Sequence, residues 1–235
     1  NLWMSVGYQD AGLAKYDGQK WEIINTGNSG LPTNIVRSIA SDASGNMYFG
    51  TPQGLVKYDG SNWTTMSMNQ LFANSFLNFL SQLQSQPDIS ALACDGSGTV
   101  WIGTKESGVY RYTPSSNQQI TLDNSPLTSN AVRKIYVDPS NRKWFMTGSW
   151  YENWSDRFLE EKSSNQLALT FQGVVSYKEP DYFSHPGWEV INMFTSEVPA
   201  NEYTAIEVDK DNVKWITSPT YLLKLENKKK MVMLN

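Results

Sequence analysis

The chain of 235 residues is long enough to bury a substantial core, as one large domain or as two ordinary ones. Its 40% hydrophobic and 18% charged residues are typical of a folded protein and exclude a disordered one. The net charge of −4 lacks the basic excess of a nucleic-acid surface, and no apolar run approaches the ~20 residues that span a bilayer. We therefore expect no nucleic-acid partner and no membrane segment in this chain.

An aromatic residue followed by a short apolar run recurs five times. The aligned aromatic positions are Trp3, Tyr48, Trp101, Trp144 and Trp215, separated by 45, 53, 43 and 71 residues. Periods of about 40–50 residues are typical of propeller blades, so the two longer intervals are expected to contain insertions. A four-residue turn that begins with Asp precedes each of the last four aromatic residues, with the sequences "DASG", "DGSG", "DPSN" and "DKDN". The third copy, for example, reads "DGSGTVWIGT" from Asp95 to Thr104.

Each copy predicts four short antiparallel strands. The first alternates between apolar and polar residues, which indicates a strand with one inward face (34–42, 88–95, 131–138 and 202–209). The second is the aromatic segment itself, reached through the Asp turn. The third and fourth follow in every copy (12–17 and 19–25, 54–59 and 61–67, 108–113 and 118–123, 173–178 and 187–193, 221–226 and 229–234). A connector with Pro and Asn then returns the chain to the next first strand (30–34, 126–130 and 197–201).

This order predicts an all-β protein, a β-propeller of four-stranded antiparallel blades with about five repeats, the first lacking its first strand. We expect residues 1–235 to form a single propeller domain or a propeller fragment. The approximate blades are 1–29, 30–67, 88–124, 125–195 and 196–235. The aromatic residues are expected to fill the space between blades, because one blade cannot bury both faces of its sheet.

The reactive groups are few. The single cysteine, Cys94, excludes an intramolecular disulfide and lies in an apolar run, so we expect a small core residue. The Asp turns lack the further oxygen ligands and the distal Glu of a calcium loop, which predicts turns and no metal site. We expect no cofactor.

Two stretches also carry a family resemblance. Residues 30–60, "GLPTNIVRSIASDASGNMYFGTPQGLVKYDG", and residues 89–113, "ISALACDGSGTVWIGTKESGVYRYT", resemble the two-component regulator propeller repeat. The resemblance implies an extracytoplasmic sensor propeller of a Bacteroidetes hybrid two-component system, or a related secreted protein, often linked to polysaccharide use. It therefore implies a periplasmic, cell-surface or secreted bacterial location.

The first insertion, 67–87, predicts an amphipathic helix. Its apolar residues recur at spacings near three and four (Leu71, Phe72, Phe76, Leu80 and Leu83). The apolar face packs either on the propeller itself or on a partner protein or a second copy.

The second insertion, 148–172, contains the candidate ligand-binding residues. They are Trp150, Tyr151, Glu152, Trp154, Asp156 and Arg157. Aromatic faces beside carboxylates and amides suit a sugar, whose CH groups stack while its hydroxyls find polar partners. The alternative is a long hairpin that covers an edge, with the tryptophans buried beneath it. A third loop, 179–188, contains the only histidine, His185, which we interpret as a polar surface residue.

Catalysis is not favoured. A glycosidase needs two carboxylates held across a sugar, but Glu152, Asp156, Glu160 and Glu161 all lie in one insertion. We therefore predict a non-catalytic sensor propeller that responds to glycans, with no catalytic residues and an oligosaccharide as ligand. The alternative is a structural or scaffolding subunit of a cell-surface or secreted complex; a propeller glycosidase or lyase is the least favoured reading.

Overall fold

The structure is a computed structural model that describes residues 1–6, 12–67, 87–148, 159–161, 167–169, 173–179, 187–191, 203–218, 221–226 and 230–234. For 159–161, 167–169, 226 and 230–234 it describes the backbone alone. Across these ranges the regular elements are all β-strands. They include no apolar helix of the length needed to cross a membrane.

The strands form consecutive antiparallel sheets in chain order. Sheet 1 contains β1 (Leu2–Ser5), β2 (Leu13–Tyr16) and β3 (Trp21–Ile24). Sheet 2 contains β4 (Ser38–Ser41), β5 (Met47–Thr51), β6 (Gly54–Tyr58) and β7 (Trp63–Met66). Sheet 3 contains β8 (Ile89–Cys94), β9 (Val100–Thr104), β10 (Val109–Thr113) and β11 (Ser116–Ile120).

The remaining strands follow the same order with one interruption. Sheet 4 begins with β12 (Val132–Val137) and β13 (Lys143–Thr147). The strands β14 (Leu159–Glu161) and β15 (Leu167–Leu169) then pair only with each other, and β16 (Gly173–Lys178) and β17 (Gly187–Ile191) complete sheet 4. Sheet 5 contains β18 (Ala205–Val208), β19 (Lys214–Thr217), β20 (Leu222–Glu226) and β21 (Lys230–Leu234).

The prediction of an all-β chain built from four-stranded antiparallel meanders is confirmed, including the three-stranded first copy. The helix predicted in 67–87 lies almost wholly outside the described residues, which omit 68–86. The chain divides into two compact units, residues 1–106 with 110–119 and residues 107–109 with 120–235. Unit 1 holds sheets 1 and 2 and nearly all of sheet 3; unit 2 holds sheets 4 and 5.

In unit 1 the sheets pack face to face through aromatic and aliphatic side chains. We call the face that bears the strand-two aromatic residue the forward face, and the opposite one the rear face. Trp3 on the forward face of sheet 1 lies 5.4 Å from the ring of Phe49 and 5.8 Å from the ring of Tyr58, both on the rear face of sheet 2. Tyr48, on the forward face of sheet 2, joins a buried cluster with Leu92 and Ile102 of sheet 3.

Unit 2 repeats this packing. Trp144 is fully buried on the forward face of sheet 4, in a cluster with Ile206, Ile216 and Leu223 of sheet 5. Trp101, on sheet 3, is also fully buried. The prediction that these indoles are packing residues and not exposed ligand platforms is confirmed.

The four Asp turns share one hydrogen-bonding scheme. In the turn of sheet 4, Asp138 Oδ1 accepts the backbone N–H groups of Ser140 and Arg142 at 2.9 and 3.0 Å. Its Oδ2 accepts the indole N–H of Trp144 at 2.9 Å. The equivalent pairs are Trp101 with Asp95, Trp215 with Asp209, and Tyr48 with Asp42 through its hydroxyl. The turn is therefore both a hairpin and a clamp that orients the interblade aromatic residue.

The fourth residue of each turn has a left-handed backbone. Gly45 and Gly98 have φ values of 84° and 82°, and Asn141 and Asn212 have values of 62°. Glycine and asparagine tolerate this region best, which explains why the turn ends in Gly in "DASG" and "DGSG" and in Asn in "DPSN" and "DKDN". The four turn sequences therefore adopt the same conformation at this residue.

These clamps predict a loss of stability in acid. Burial acts to raise the pKa of Asp138, but the hydrogen bonds from Trp144, Ser140 and Arg142 outweigh it and hold the pKa below its usual value. The pKa of Asp209 is lowered chiefly by the indole of Trp215. Since the folded-state pKa is the lower one, the carboxylates stabilise the fold fully above the unfolded-state pKa of about 4, and this contribution falls away as pH drops below it.

We expect the thermal unfolding midpoint to be nearly flat from about pH 7 to 5 and to fall below about pH 4. The measurement is differential scanning fluorimetry across that range. An Asp138→Asn variant, less stable at neutral pH, is expected to lose less on acidification than the parent chain. Parallel curves for the two proteins would contradict the role of this carboxylate.

Candidate functional site

Both insertions of the chain leave the same end of the sheet to which each belongs, which we call the connector end of that sheet. In an antiparallel four-stranded sheet, the start of strand one, the end of strand two, the start of strand three and the end of strand four share one end. The insertion 67–87 joins β7 to β8, and the insertion 148–172 joins β13 to β16. Both insertions therefore leave the connector end of their own sheets, whereas the Asp turns lie at the opposite end of theirs.

The second insertion departs from an intact hairpin neck. Thr147 pairs with Gly173 in register, and the Thr147 hydroxyl donates to the Gly173 carbonyl at 3.1 Å. In sheet 2, where only two residues separate the strands, the Thr51 hydroxyl donates to the Gly54 carbonyl in the same way at 2.9 Å. The insertion is thus added to the standard strand-two to strand-three turn without disturbing the sheet that supports it.

The insertion also contains its own short hairpin. Leu159 pairs with Leu169 and Glu161 with Leu167 across β14 and β15. Part of the insertion is therefore a short hairpin, and the alternative, a long hairpin that covers an edge with the tryptophans buried beneath it, stays a prediction. The six predicted ligand residues, Trp150, Tyr151, Glu152, Trp154, Asp156 and Arg157, all fall in 149–158, between the neck and β14 and outside the described residues. Their role stays a prediction, and so does that of His185, which falls in 180–186.

A charge cluster stands beside the first insertion in unit 1. Asp88, the second residue after the undescribed 68–86, holds its two carboxylate oxygens 2.8 Å from Arg37 Nε and 2.8 Å from Lys105 Nζ. The Arg37 contact is an ion pair whose geometry falls short of a hydrogen bond. The three side chains are 34%, 25% and 32% exposed for Arg37, Asp88 and Lys105. The two ion pairs therefore tie the residue that precedes β8 to Arg37, just before β4, and to Lys105, just after β9.

Sequence reasoning did not find this cluster. Asp88 occupies the position that the apolar residues Ile35 and Ala131 fill in neighbouring copies, so the sequence alone marks it as an unusual charged residue. Arg37 and Lys105 are far from it along the chain, and only the packing of sheet 2 on sheet 3 brings them together.

Little in the described residues is suited to covalent chemistry. Cys94, which the sequence predicted to be a core residue, packs against the cluster between sheets 2 and 3 but is only half-buried. Burial, with the nearby charges of Asp42 and Asp95, raises the pKa of its thiol to about 12, so it is protonated at neutral pH and a weak nucleophile. No group of three or more His, Cys, Asp or Glu side chains within the described ranges is placed to hold a metal ion.

The repeats are identified by their sequence. Residues 30–53 and 82–106 match the model of the family described as two component regulator propeller. These two segments of the chain are similar to repeats of this family. The two matched segments cover the strand-one, Asp-turn and strand-two portions of the second and third copies, with the Asp42 and Asp95 clamps. The second segment also contains Asp88 and Lys105. No curated protein sequence matches the chain significantly.

Solved structures match over nearly the whole chain. PorZ, described as an essential bacterial surface component of the type-IX secretion system of Porphyromonas gingivalis, matches with 17% identity and a TM-score of 0.66 over 100% of this chain and 32% of its own. YCF48 bound to D1 peptide matches with 13% identity and a TM-score of 0.56 over 96% of this chain and 63% of its own. The extracellular domain of the putative hybrid two component system BT3049 from B. thetaiotaomicron matches with 21% identity and a TM-score of 0.44 over 98% and 34%.

The chain spans about a third of the length of PorZ and of the BT3049 domain, and about two thirds of YCF48. At these identities the matches with PorZ and YCF48 show a shared fold.

Proposed function

We propose that this chain is a non-catalytic binding module of an extracytoplasmic two-component sensor propeller, located in the periplasm or at the cell surface, and that its ligand is an oligosaccharide. The five sheets serve as blades of one propeller domain or of a fragment of a longer one. The observation that carries the proposal is the Thr147–Gly173 neck, which supports a 25-residue insertion at 148–172 on an undisturbed sheet. Binding residues are commonly placed on loops that a rigid scaffold positions.

The chemistry of the insertion suggests the ligand. Trp150 and Trp154 supply flat apolar faces, and Glu152, Asp156 and Arg157 supply hydrogen-bonding groups within the same ten residues. A pyranose ring presents CH groups on its faces and hydroxyls on its rim. It can therefore stack on the tryptophans and hydrogen-bond to the polar side chains at the same time.

Thermal shift with a panel of oligosaccharides tests this proposal. A ligand at 100 times its dissociation constant adds about 2.7 kcal/mol, which for a chain of this size raises the unfolding midpoint by at least about 5 °C. Trp150→Ala and Trp154→Ala are expected to abolish the shift that the parent chain shows. Trp21→Ala, at an exposed tryptophan on sheet 1, is the matched control and is expected to retain it.

A panel without any shift, or shifts of equal size in the Trp150→Ala variant and the parent, would contradict the proposal. The alternative is a scaffolding role, and the fold shared with PorZ over the full chain is the observation that supports it. A scaffolding role predicts the opposite pattern, namely no response to saccharides and retention of the chain in a large surface complex during purification from its native cell.

A further inference from the structure

Sheet 5 carries a tyrosine where the other copies have an aliphatic residue. Tyr203 lies six residues before Asp209, a position that Val36, Ile89 and Val132 fill before their own turn aspartates. All four side chains are buried. The repeat therefore needs only an aliphatic side chain at this position, and the tyrosine adds a ring and a hydroxyl.

A second tyrosine takes a glycine position of the repeat. The Ser218 hydroxyl donates to the Tyr221 carbonyl at 3.4 Å. The equivalent threonine hydroxyls donate to the carbonyls of Gly54 in sheet 2 and Gly173 in sheet 4. The half-buried Tyr221 side chain packs against the buried cluster between sheets 4 and 5, and Tyr203 is a member of that cluster. Both rings are thus added to the same interface.

The two tyrosines lie at the end from which the second insertion leaves sheet 4. The Thr204 N–H donates to the Thr217 carbonyl at 2.7 Å, just before the first strand of sheet 5 begins, so Tyr203 is at the connector end of that sheet. The residue pair next to the neck of the insertion, Met146 and Val174, belongs to the same buried cluster. The tyrosines therefore share a core with the base of the insertion that contains the candidate ligand residues.

The Tyr203 hydroxyl is buried and has no hydrogen-bond partner in the part of the chain that the structure describes. The residue is 4% exposed, and burial raises the pKa of its hydroxyl well above the usual value, so the group is neutral at physiological pH. An unpartnered buried hydroxyl costs free energy, and nearly all buried polar groups in proteins are paired. A phenylalanine would fill the same space without that cost, so the hydroxyl points to a partner from outside the chain.

The surroundings of this hydroxyl favour a neutral partner. The other buried residues of the cluster are all hydrophobic, among them Met146, Val174 and Ile206. A charged group would lose its hydration there without gaining a counter-charge, which is costly. A sugar hydroxyl both donates and accepts hydrogen bonds, and the CH groups of its ring can pack against an aromatic face.

We propose that the Tyr203 hydroxyl hydrogen-bonds to a hydroxyl of a neutral saccharide unit whose ring packs on Tyr221, so that the two tyrosines form one subsite of the ligand site. The inference rests on the proposed function, and it restricts the ligand to an oligosaccharide with an uncharged unit at this subsite. Since the Tyr203 hydroxyl is buried, binding includes a local opening at the connector end of sheet 5, and the new hydrogen bond offsets part of its cost.

Isothermal titration calorimetry of the full chain tests the subsite, with cellotetraose, xylotetraose, mannotetraose and maltotetraose as neutral probes and tetragalacturonic acid as the charged one. Tyr203→Phe is expected to raise the Kd of the tightest-binding neutral tetrasaccharide at least about fivefold, the loss of one hydrogen bond. Tyr221→Gly, which restores the residue of sheets 2 and 4, is expected to raise it about tenfold by removing the ring. Tetragalacturonic acid is expected to bind at least about tenfold more weakly than the neutral probe.

The matched control is Tyr136→Phe. Tyr136 borders the same cluster nearer the Asp-turn end, and its hydroxyl donates to Glu207 at 2.9 Å. This variant loses a hydroxyl from the same interface and is expected to keep the Kd of the parent. In the absence of saccharide, Tyr203→Phe is expected to have an unfolding midpoint equal to or above that of the parent, because it removes no hydrogen bond within the chain.

The outcomes separate this inference from the proposed function. A Kd that Trp150→Ala raises and Tyr203→Phe leaves unchanged would overturn the subsite alone, and so would tetragalacturonic acid binding as tightly as the neutral probes. A Tyr203→Phe variant with a lower unfolding midpoint and the parent Kd would assign the hydroxyl to the fold, through a buried water, and would also overturn the subsite. If none of the tetrasaccharides binds the parent chain, the proposed function fails and the subsite fails with it.

Discussion

Trp144→Ala is expected to lower the free energy of unfolding of unit 2 by about 3–5 kcal/mol, the usual cost of deleting a buried tryptophan side chain. The indole is 0% exposed and packs between sheets 4 and 5 with Ile206 and Ile216. Alanine would leave a cavity between the sheets and would remove the N–H that donates to Asp138 at 2.9 Å. Urea denaturation followed by far-ultraviolet circular dichroism measures the loss.

Two further variants separate packing from hydrogen bonding. Trp144→Phe keeps most of the volume but removes the donor, so we expect a smaller loss of about 1–3 kcal/mol. Trp21→Ala, on the exposed rear face of sheet 1, is expected to change stability by less than about 1 kcal/mol in the monomer. If Trp144→Ala cost no more than Trp21→Ala, the packing of sheet 4 on sheet 5 through this indole would be wrong.

Asp138→Ala is expected to lower the free energy of unfolding by about 2–4 kcal/mol, nearly as much as loss of the indole. The carboxylate is buried and accepts four hydrogen bonds, from the backbone and hydroxyl of Ser140, the backbone of Arg142 and the indole of Trp144. Alanine leaves these donors without an acceptor in a site that water reaches poorly. The same denaturation experiment measures the effect.

The matched control for Asp138→Ala is Asp17→Ala, in the turn between β2 and β3. Asp17 also accepts two backbone N–H groups, from Gln19 and Lys20, but it is exposed to solvent, so water can replace it and we expect a much smaller loss. A double-mutant cycle between Asp138→Ala and Trp144→Phe is expected to show coupling of about 1 kcal/mol, because both changes remove the same contact. Additive losses, or equal losses at Asp138 and Asp17, would contradict the clamp.

Much of the fold follows from local patterns. Alternation in segments such as 131–138 predicted strands, because successive side chains of a strand point to opposite faces. The Asp turns predicted hairpins, because Asp side chains accept nearby backbone N–H groups and Gly or Asn accepts a left-handed backbone. The three strands of the first copy and the place of the second insertion between strands two and three were also predictable, since the repeat itself supplies the template.

Other features depend on contacts between residues distant in the chain. The Asp88 cluster needs sheet 2 to pack on sheet 3, and no short segment contains both of its cations. The partial burial of Cys94 has the same origin, because it packs against side chains of both sheets. The rear face of sheet 1 has the same sequence pattern as the rear faces of the other sheets, and only its exposure in the structure distinguishes it.

The sequence by itself determined the repeat, the strand order, the turns and the identity of the aromatic packing residues. These depend on interactions within about ten residues, where spacing along the chain is nearly spacing in the molecule. The tertiary structure alone decided which faces are covered, which charges meet at the connector end and which apolar surface stays open. Those outcomes depend on how one sheet packs on the next, and the repeat, being the same in covered and uncovered blades, does not encode that difference.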